Sequence, residues 1–293
     1  MGSGSFTLSS FSDYSTRSGK FYDSSTNRVV GQTYTVRALN ESLNPKGVIR
    51  ECCNSDEHPN TIPVILALDV TGSMGRACKE TAEALGLIME DLRNLSPDVE
   101  VCVMGIGDLD YDDAPIQMSQ FEADTRIAEH LDKIYMEHGG GGNGYESYTA
   151  AWYMGLKHCK LDCWNDGRKG IIITMGDEPL NPSLPKRRLN QVTGDGNEKS
   201  VDTNELYRDA CEKFDIYHIA TDDSASSFSH YKKRIEESFG TLLKENYKVS
   251  TIQNLRKTIS DCVSNSISCG GFFGLITEDG SEEDKVNAYE ISW

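Results

Sequence analysis

The chain has 293 residues, of which 38% are hydrophobic, and its formal net charge is −17 at pH 7. This length allows one substantial domain with extensions, or two small domains. The negative charge argues against an extended nucleic-acid interface and against docking on an anionic membrane, because binding phosphate groups needs clustered Lys and Arg side chains. No segment approaches the roughly 20 apolar residues that span a bilayer, and no secretory signal pattern is visible at the N-terminus.

The nine cysteines are scattered along the chain and include no C-x-x-C pair, so a zinc ribbon is not expected. Cys159 and Cys163 lie one helical turn apart and His158 is beside them, a spacing that would suit a metal. Two thiols on a helix are, however, more often core residues. Free buried thiols fit a reducing compartment, and we expect a soluble, cytoplasmic protein.

Residues 1–60 have the composition of an N-terminal arm. Residues 1–27 are rich in Ser, Gly, Thr and Tyr and show no helical periodicity, whereas residues 33–38 alternate as a half-exposed strand would. A fully disordered arm would not need aromatic side chains. Five of them predict that the arm is pinned to the body of the protein: Phe6, Phe11, Tyr14, Phe21 and Tyr22.

The first core strand is predicted at residues 62–68, an almost fully apolar run typical of a strand buried on both faces. It ends in Asp69, Thr71 and Ser73, three oxygen-bearing side chains at alternate positions. Hard oxygen ligands at the carboxyl end of a buried strand suit Mg²⁺ and lie at the usual binding edge of a sheet. The same residues would also suit a strand-to-helix turn in which Asp69 only caps the helix.

Asp69, Thr71 and Ser73 resemble the first motif of the von Willebrand factor A (VWA) family, in its intracellular bacterial and phage-type form. That motif opens the metal-ion-dependent adhesion site, and its more usual form has Ser where this chain has Thr71. The resemblance implies a Rossmann-like VWA fold and a bound Mg²⁺ ion, with Mn²⁺ or Ca²⁺ as alternatives. In the family, the carboxylate of a partner's Asp or Glu completes the coordination shell.

Helical and strand patterns alternate after this motif. We expect a helix over 73–94, a strand over 99–108, a short edge strand over 115–121 and a helix around 127–134. Further along the chain, a strand is expected over 170–175, a helix over 203–214, a strand over 216–220, a helix over 228–239, an edge strand over 247–250 and a closing helix over 252–267. His218 is predicted to be a hydrogen-bonded core histidine, and residues 186–188 a solvated basic helix face.

A glycine-rich loop at residues 139–144 precedes another helix, but it lacks the Lys-Ser/Thr ending of a P-loop. The resemblance implies that a loop at this place supplies a second ligand cluster, with Asn143 and Glu146 as the candidates. Glu146 is also explained as an acidic residue at a helix start, which the helix dipole favours.

The resemblance further implies an Asp at the end of the strand over 170–175. A strict overlay puts Met175 at that position, and Asp177 is the nearer chemical match.

The alternation from residue 62 to 268 predicts an α/β fold with a doubly wound, mostly parallel sheet and helices on both faces. We divide the chain into the arm at 1–60, a VWA domain at 61–269 and a tail at 270–293 that ends in Trp293. Trp293 is a candidate docking residue for the body of the protein or for a partner.

The resemblance implies a non-enzymatic, metal-dependent interaction module or scaffold. Its partner would be a protein that presents an Asp or Glu carboxylate, for example an ATPase or a multiprotein complex. The predicted metal-site residues are Asp69, Thr71, Ser73, Asn143, Glu146 and Asp177.

Two alternatives remain open. One is a structural protein that self-assembles through the arm and tail and has a vestigial metal site. The other, less favoured, is a Mg²⁺-dependent phosphohydrolase with Asp69 as its nucleophile. The motif of such enzymes needs a second Asp as general acid where Thr71 stands.

Overall fold

The computed structural model describes residues 4–137, 142–224 and 226–269. Its strands are β1 (Phe21–Asp23), β2 (Arg28–Val30), β3 (Arg50–Cys52), β4 (Ile62–Asp69), β5 (Val99–Ile106), β6 (Ile116–Met118), β7 (Cys159–Leu161), β8 (Gly170–Gly176), β9 (Ser183–Leu184), β10 (Val201–Asp202), β11 (Phe214–Asp222) and β12 (Tyr247–Thr251). Its helices are α1 (Leu8–Arg17), α2 (Gly75–Glu83), α3 (Leu85–Leu95), α4 (Arg126–Asp132), α5 (Thr149–Lys157), α6 (Lys186–Thr193), α7 (Thr203–Cys211), α8 (Phe228–Ile235), α9 (Thr241–Leu243) and α10 (Leu255–Cys269).

A six-stranded sheet in the order β12-β11-β8-β4-β5-β6 forms the centre of the molecule. Neighbouring strands are parallel, except that the edge strand β6 runs antiparallel to β5. Helices α1 to α4 and α10 contribute to the core on one face of the sheet, and α5 to α8 contribute to the core on the other. The predicted fold class, a doubly wound and mostly parallel α/β sheet, is confirmed.

The central strand β4 shows why its sequence is a continuous apolar run. Val64 and Leu66 belong to the hydrophobic core on one face of the sheet, whereas Ile65 and Ala67 belong to the core on the other. Successive side chains of a strand point to opposite faces, so a strand covered on both sides has no solvent-facing position for a polar residue. All eight residues of β4 are buried.

The order of the strands places a topological switch point between β4 and β8. After β4 the chain crosses to β5 on one side, whereas after β8 it crosses to β11 on the other. The two connections therefore leave the carboxyl edge in opposite directions and open a crevice there, the usual binding position in a doubly wound sheet. Asp69 ends β4, and Asp177 directly follows β8.

The N-terminal arm differs from its prediction. Residues 8–17, which show no helical periodicity, form α1, whose start is stabilised by a capping box between Thr7 and Ser10. The strand predicted over 33–38 is wrong. Tyr34 has φ 56°, a left-handed conformation that a strand cannot contain. The arm's strands are instead the β1–β2 hairpin.

Aromatic residues of the arm do contact the rest of the chain, as predicted. Phe6 and Phe11 are buried in the same core as β4, whereas Phe21 is exposed. The boundaries at residues 60 and 269 remain predictions. Three parts of the predicted organisation lie outside the described residues: residues 1–3, residues 139–141 of the glycine-rich loop, and the tail with Trp293.

Two predicted helices have different boundaries in the structure. The helix expected over 73–94 is divided at Ala84, whose backbone (φ −92°, ψ 0°) leaves the helical region between α2 and α3. The helix expected over 228–239 ends as an α-helix at Ile235 and continues as a π-helical turn over Glu236–Gly240. Within the described parts of the chain, no helix has the length and apolar character needed to cross a membrane.

Candidate metal centre

Asp69 lies at the carboxyl end of β4 and is completely buried. Its Oδ1 accepts hydrogen bonds from the backbone N–H of Thr71, at 2.9 Å, and from the Thr71 hydroxyl, at 2.5 Å. An Asp followed two residues later by a hydroxyl residue forms this turn readily, because its carboxylate can bond to its own backbone two residues on. The local sequence therefore fixes the side chains of Asp69 and Thr71 relative to each other.

The other carboxylate oxygen of Asp69 accepts a hydrogen bond from a residue distant in sequence. The Tyr148 hydroxyl, at the start of α5, donates to Asp69 Oδ2 at 2.6 Å. Tyr148 is fully buried, and a Cβ atom at Gly176 would collide with its hydroxyl. Strand β8 thus needs a glycine at its last position for Tyr148 to reach Asp69.

Asp177 connects the loop after β8 to two other elements. Its Oδ1 accepts a hydrogen bond from the Ser73 hydroxyl at 3.1 Å, and its Oδ2 accepts one from the backbone N–H of Ser227, just before α8, at 2.5 Å. The structure therefore brings Asp69, Thr71, Ser73 and Asp177 to the switch point. Met175, the alternative in the strict overlay, is a core residue of β8.

Glu146 is 1% exposed, and its Oε2 has no hydrogen-bond partner among the described residues. An isolated bridge pairs Glu146 with Leu180, so the loop before α5 lies beside the loop that carries Asp177. Burial raises the pKa of Glu146 strongly, and repulsion from Asp69 and Glu178 raises it further. An unpartnered buried carboxylate is costly unless it is protonated or meets a cation.

The electrostatics of this edge are dominated by carboxylates. Burial raises the pKa of Asp69 and of Asp177, and the charge of Asp177 adds to the shift of Asp69. Burial and repulsion from Asp177 and Asp108 raise the pKa of Glu178 to about 7. No ion pair within the described residues includes Asp69, Glu146 or Asp177. These three carboxyl groups therefore lie buried together without an ion pair to a protein cation.

Asn143 lies at the periphery of this group. It is exposed, and its Oδ1 accepts a hydrogen bond from the backbone N–H of Tyr145. Its side chain also lowers the pKa of the Asp108 carboxyl, although burial raises that pKa more. Among the described residues, Asn143 forms no hydrogen bond to Asp69 or Asp177. Its role as a ligand remains a prediction.

The sequence interpretation missed several residues at this edge. Asp108 follows β5 and is 2% exposed, and its Oδ2 has no partner among the described residues. The loop that holds it is fixed by Arg188, whose guanidinium donates to the backbone oxygens of Leu109 and Asp112 at 2.8 Å. Arg188 is thus a loop anchor rather than only part of a solvated basic face. Asp108 could have been predicted, because the strand expected over 99–108 ends in Gly and Asp. No local sequence pattern indicates the role of Tyr148.

The donor chemistry fits a hard divalent cation. Within the described residues, no group of three or more His, Cys, Asp or Glu side chains is arranged to hold a metal by itself. A cation at the switch point would therefore need the hydroxyls of Thr71 and Ser73 as well as carboxylates. Such all-oxygen sets, completed by water, are the usual protein ligands of Mg²⁺.

The second candidate cluster, at His158, is not arranged for a metal. The ring nitrogens of His158 lie 2.8 Å from the Val48 backbone oxygen and 2.8 Å from Asp195 Oδ2. Cys159 lies in β7 and Cys163 in the 3-10 turn that follows, so the two do not share a helix, but both are buried free thiols in the hydrophobic core. The core interpretation of these two cysteines is confirmed.

Comparison with models of protein families and with curated proteins found no match. Among solved structures, the pilus adhesin SpaC from Lactobacillus rhamnosus GG is similar, with 12% identity, a TM-score of 0.47, and coverage of 77% of this chain and 31% of that one. The vWF domain of the type V pili tip protein Mfa5 from Porphyromonas gingivalis matches with 12% identity, a TM-score of 0.44, and coverage of 75% and 98%. This chain therefore spans about a third of the length of SpaC and nearly all of the Mfa5 domain.

Proposed function

We propose that this protein is a metal-dependent protein-interaction module. Mg²⁺ would be held at the switch point by Asp69, Thr71 and Ser73, directly or through water, with Asp177 and Glu146 completing or orienting the shell. The ion would bridge these anionic groups to an Asp or Glu carboxylate of a partner protein, two sets of charges that otherwise repel.

The observation that carries this proposal is the group of buried carboxylates without a protein cation. Asp69, Glu146 and Asp177 are each 1% exposed or less, and burial raises the pKa of all three. A protein gains nothing in stability from burying such groups together, because each favours its neutral form there. A bound divalent cation would remove this penalty. A purely structural turn would not explain why the three carboxyl groups are buried together.

The geometry speaks against a phosphohydrolase that uses Asp69 as its nucleophile. Both carboxylate oxygens of Asp69 accept hydrogen bonds, which makes the carboxylate a weaker nucleophile. Thr71 occupies the position where such a reaction needs a general acid. A binding role, without bond cleavage, is the better supported proposal.

A structural or assembly role with a vestigial site is the second candidate, and one observation favours it. Phe21 and Val30 face each other across the β1–β2 hairpin and are 67% and 53% exposed. Exposed apolar pairs are common at contacts between chains. Metal dependence of partner binding separates the two candidates, because an assembly contact through the hairpin would not need Mg²⁺.

We further propose a reducing, cytoplasmic environment for the protein. Cys52, Cys78 and Cys102 are buried free thiols, as are three others in the described chain. Such thiols are typical of proteins that keep their cysteines reduced. A partner in that compartment, for example an ATPase or another member of a multiprotein complex, remains part of the proposal.

The test uses a fluorescent glycine-serine peptide that carries one glutamate, and a matched peptide with glutamine in its place. We expect the wild-type protein to bind the glutamate peptide in Mg²⁺ but not in EDTA, and to bind the glutamine peptide in neither. Ser73→Ala, which removes a hydroxyl at the switch point, should weaken binding about tenfold or more. Fluorescence anisotropy measures the affinity of each protein for each of the two peptides, in Mg²⁺ and in EDTA.

The matched control is Ser264→Ala, a serine substitution on α10, which should bind as the wild type does. Equal binding of the two peptides, or binding that EDTA leaves unchanged, would contradict the proposed function. In the second case the assembly candidate becomes the better explanation.

A further inference from the structure

A groove lies next to the candidate metal centre, between the loop before α5 and the loop after β8. Its volume is about 280 Å³, and it is lined by Tyr145, Pro179, Leu180, Pro182, Arg234, Glu237 and Ser238. Because Glu146 and Leu180 pair across these two loops, the groove adjoins the segments that carry Glu146 and Asp177. A chain that reached the switch point with one side chain could therefore extend into it.

Arg234 stands out on the wall of this groove. Its guanidinium carbon lies 4.7 Å from the ring centre of Tyr145 and 5.3 Å from that of Tyr231. Gly144 passes so close that a Cβ atom there would lie 3.3 Å from Arg234 Nη1. Two aromatic rings and a glycine backbone thus hold a long cationic side chain in place, which reduces the entropy that it would lose on binding.

The guanidinium has no carboxylate partner among the described residues, although the protein as a whole is strongly acidic. Two acidic groups lie near it, Glu178 and Glu237. The charge of Arg234 lowers the pKa of the Glu178 carboxyl, but burial raises that pKa by more. Glu237 instead lies 3.6 Å from Lys233. The hydrogen-bonding edge of Arg234 is therefore available to a ligand.

The rim also has the composition of a protein interface. Tyr145 and Tyr231, whose rings contact Arg234, are partly exposed. Tyrosine and arginine are enriched among the residues that dominate binding energy at protein interfaces. Pro179 and Pro182, which also line the groove, have no backbone N–H to donate.

We infer that Arg234 binds a second carboxylate of the partner, so that the site recognises a protein segment with two acidic residues rather than one. This inference rests on the proposed function, in which the metal centre takes the first carboxylate. An arginine guanidinium matches a carboxylate with two parallel hydrogen bonds. The groove between the two positions would accommodate the residues that separate the acidic side chains.

The test compares glycine-serine peptides that carry one glutamate with peptides that carry two, separated by one to four residues. For at least one spacing, we expect the wild-type protein in Mg²⁺ to bind the two-glutamate peptide about tenfold more tightly than the one-glutamate peptide. Arg234→Gln should abolish this preference, so that the two peptides bind the variant with equal affinity. Arg234→Lys, which keeps the charge without the planar fork, should retain only part of it.

Arg187→Gln is the matched control, because Arg187 is an exposed arginine on α6 that does not line the groove. This variant should keep the full preference. A preference that survives in Arg234→Gln, or its absence from the wild type at every spacing, would overturn the inference. An EDTA-insensitive one-glutamate complex would instead overturn the proposed function, so the two failures are distinguishable.

Discussion

Tyr148 and His218 show how single buried side chains support the candidate site. The ring of Tyr148 packs edge-on against His218, with centroids 5.1 Å apart, while its hydroxyl donates to Asp69. His218 in turn stacks on Phe239, at 3.6 Å between ring centres. The position of the Asp69 carboxylate thus depends on an aromatic stack that no local pattern in the sequence reveals.

The burial of His218 favours a neutral ring. The Thr174 hydroxyl lies 2.9 Å from His218 Nδ1 and 3.2 Å from the Tyr217 backbone oxygen, so it hydrogen-bonds this side of the ring. The other ring nitrogen is buried and has no partner among the described residues. Desolvation accordingly lowers the pKa of His218 to about 3.

We predict an acid-dependent loss of stability that depends on His218. A histidine with a lowered pKa in the folded state stabilises the protein above the pKa of the unfolded chain, and this contribution is lost as the pH falls. Between about pH 6 and pH 3, the free energy of unfolding should fall by about 1.4 kcal/mol per pH unit through this group. Urea unfolding of the wild type and of His218→Phe, which keeps an aromatic ring in the stack, measures the difference.

The control for this prediction is His230→Phe, because His230 is exposed on α8. The buried carboxyl groups make the free energy of unfolding depend on pH in the wild type and in each variant. The informative quantity is therefore the difference in free energy of unfolding between a variant and the wild type at each pH. If that difference does not change with pH for His218→Phe, then His218 is not held neutral by burial in the folded protein.

At the scale of elements, the arm is joined to the body by the contact between α1 and α3. Gly86 lies in α3, and a Cβ atom there would lie 2.5 Å from Phe11 Cδ1. The ring of Phe11 thus occupies the space that a side chain would need. Further contacts fix the arm on the same side, among them two hydrogen bonds from Arg28 to Glu80 at 2.7 to 2.8 Å.

We predict that the effect of Gly86→Ala depends on Phe11. In the wild type, the clash with the ring should destabilise the protein by about 1–3 kcal/mol, partly offset by the better helix propensity of alanine. In a Phe11→Ala background the clash is gone, and the same change should stabilise the protein by up to about 1 kcal/mol. A double-mutant cycle by urea unfolding measures this coupling. Equal effects in both backgrounds would contradict the packing of α1 on α3.

At the scale of the whole molecule, the sheet could be predicted from the sequence because its strands are apolar runs of suitable length. The position of the site followed from the same pattern, since Asp69 and Asp177 each follow such a run, and adjacent parallel strands end at one edge. The conformation of the arm could not be predicted. Helix α1 has few apolar residues and is held by Phe11 and a capping box, and Tyr34 adopts a left-handed conformation.

The electrostatics of the site also emerged only at this scale. Asp69, Glu146 and Asp177 are 31 or more positions apart in sequence, and their mutual repulsion exists only in the folded chain. Each has a raised pKa, so without metal these groups contribute stability at low pH that is lost as the pH rises through their folded-state pKa values. A bound divalent cation would reverse this trend, because it favours the ionised carboxylates.

The central claim, that the switch point binds a divalent cation, is tested most directly by calorimetric titration of Mg²⁺ at pH 8, where protons compete least. We predict that the wild-type protein binds Mg²⁺, and that Asp69→Asn, which keeps the shape of the side chain but removes its charge, binds at least about tenfold more weakly. Asp209→Asn, an exposed aspartate on α7, should bind as the wild type does. Mn²⁺ and Ca²⁺ titrations identify the preferred ion. If the wild type binds none of the three ions, or if Asp69→Asn binds them equally well, the claim is contradicted.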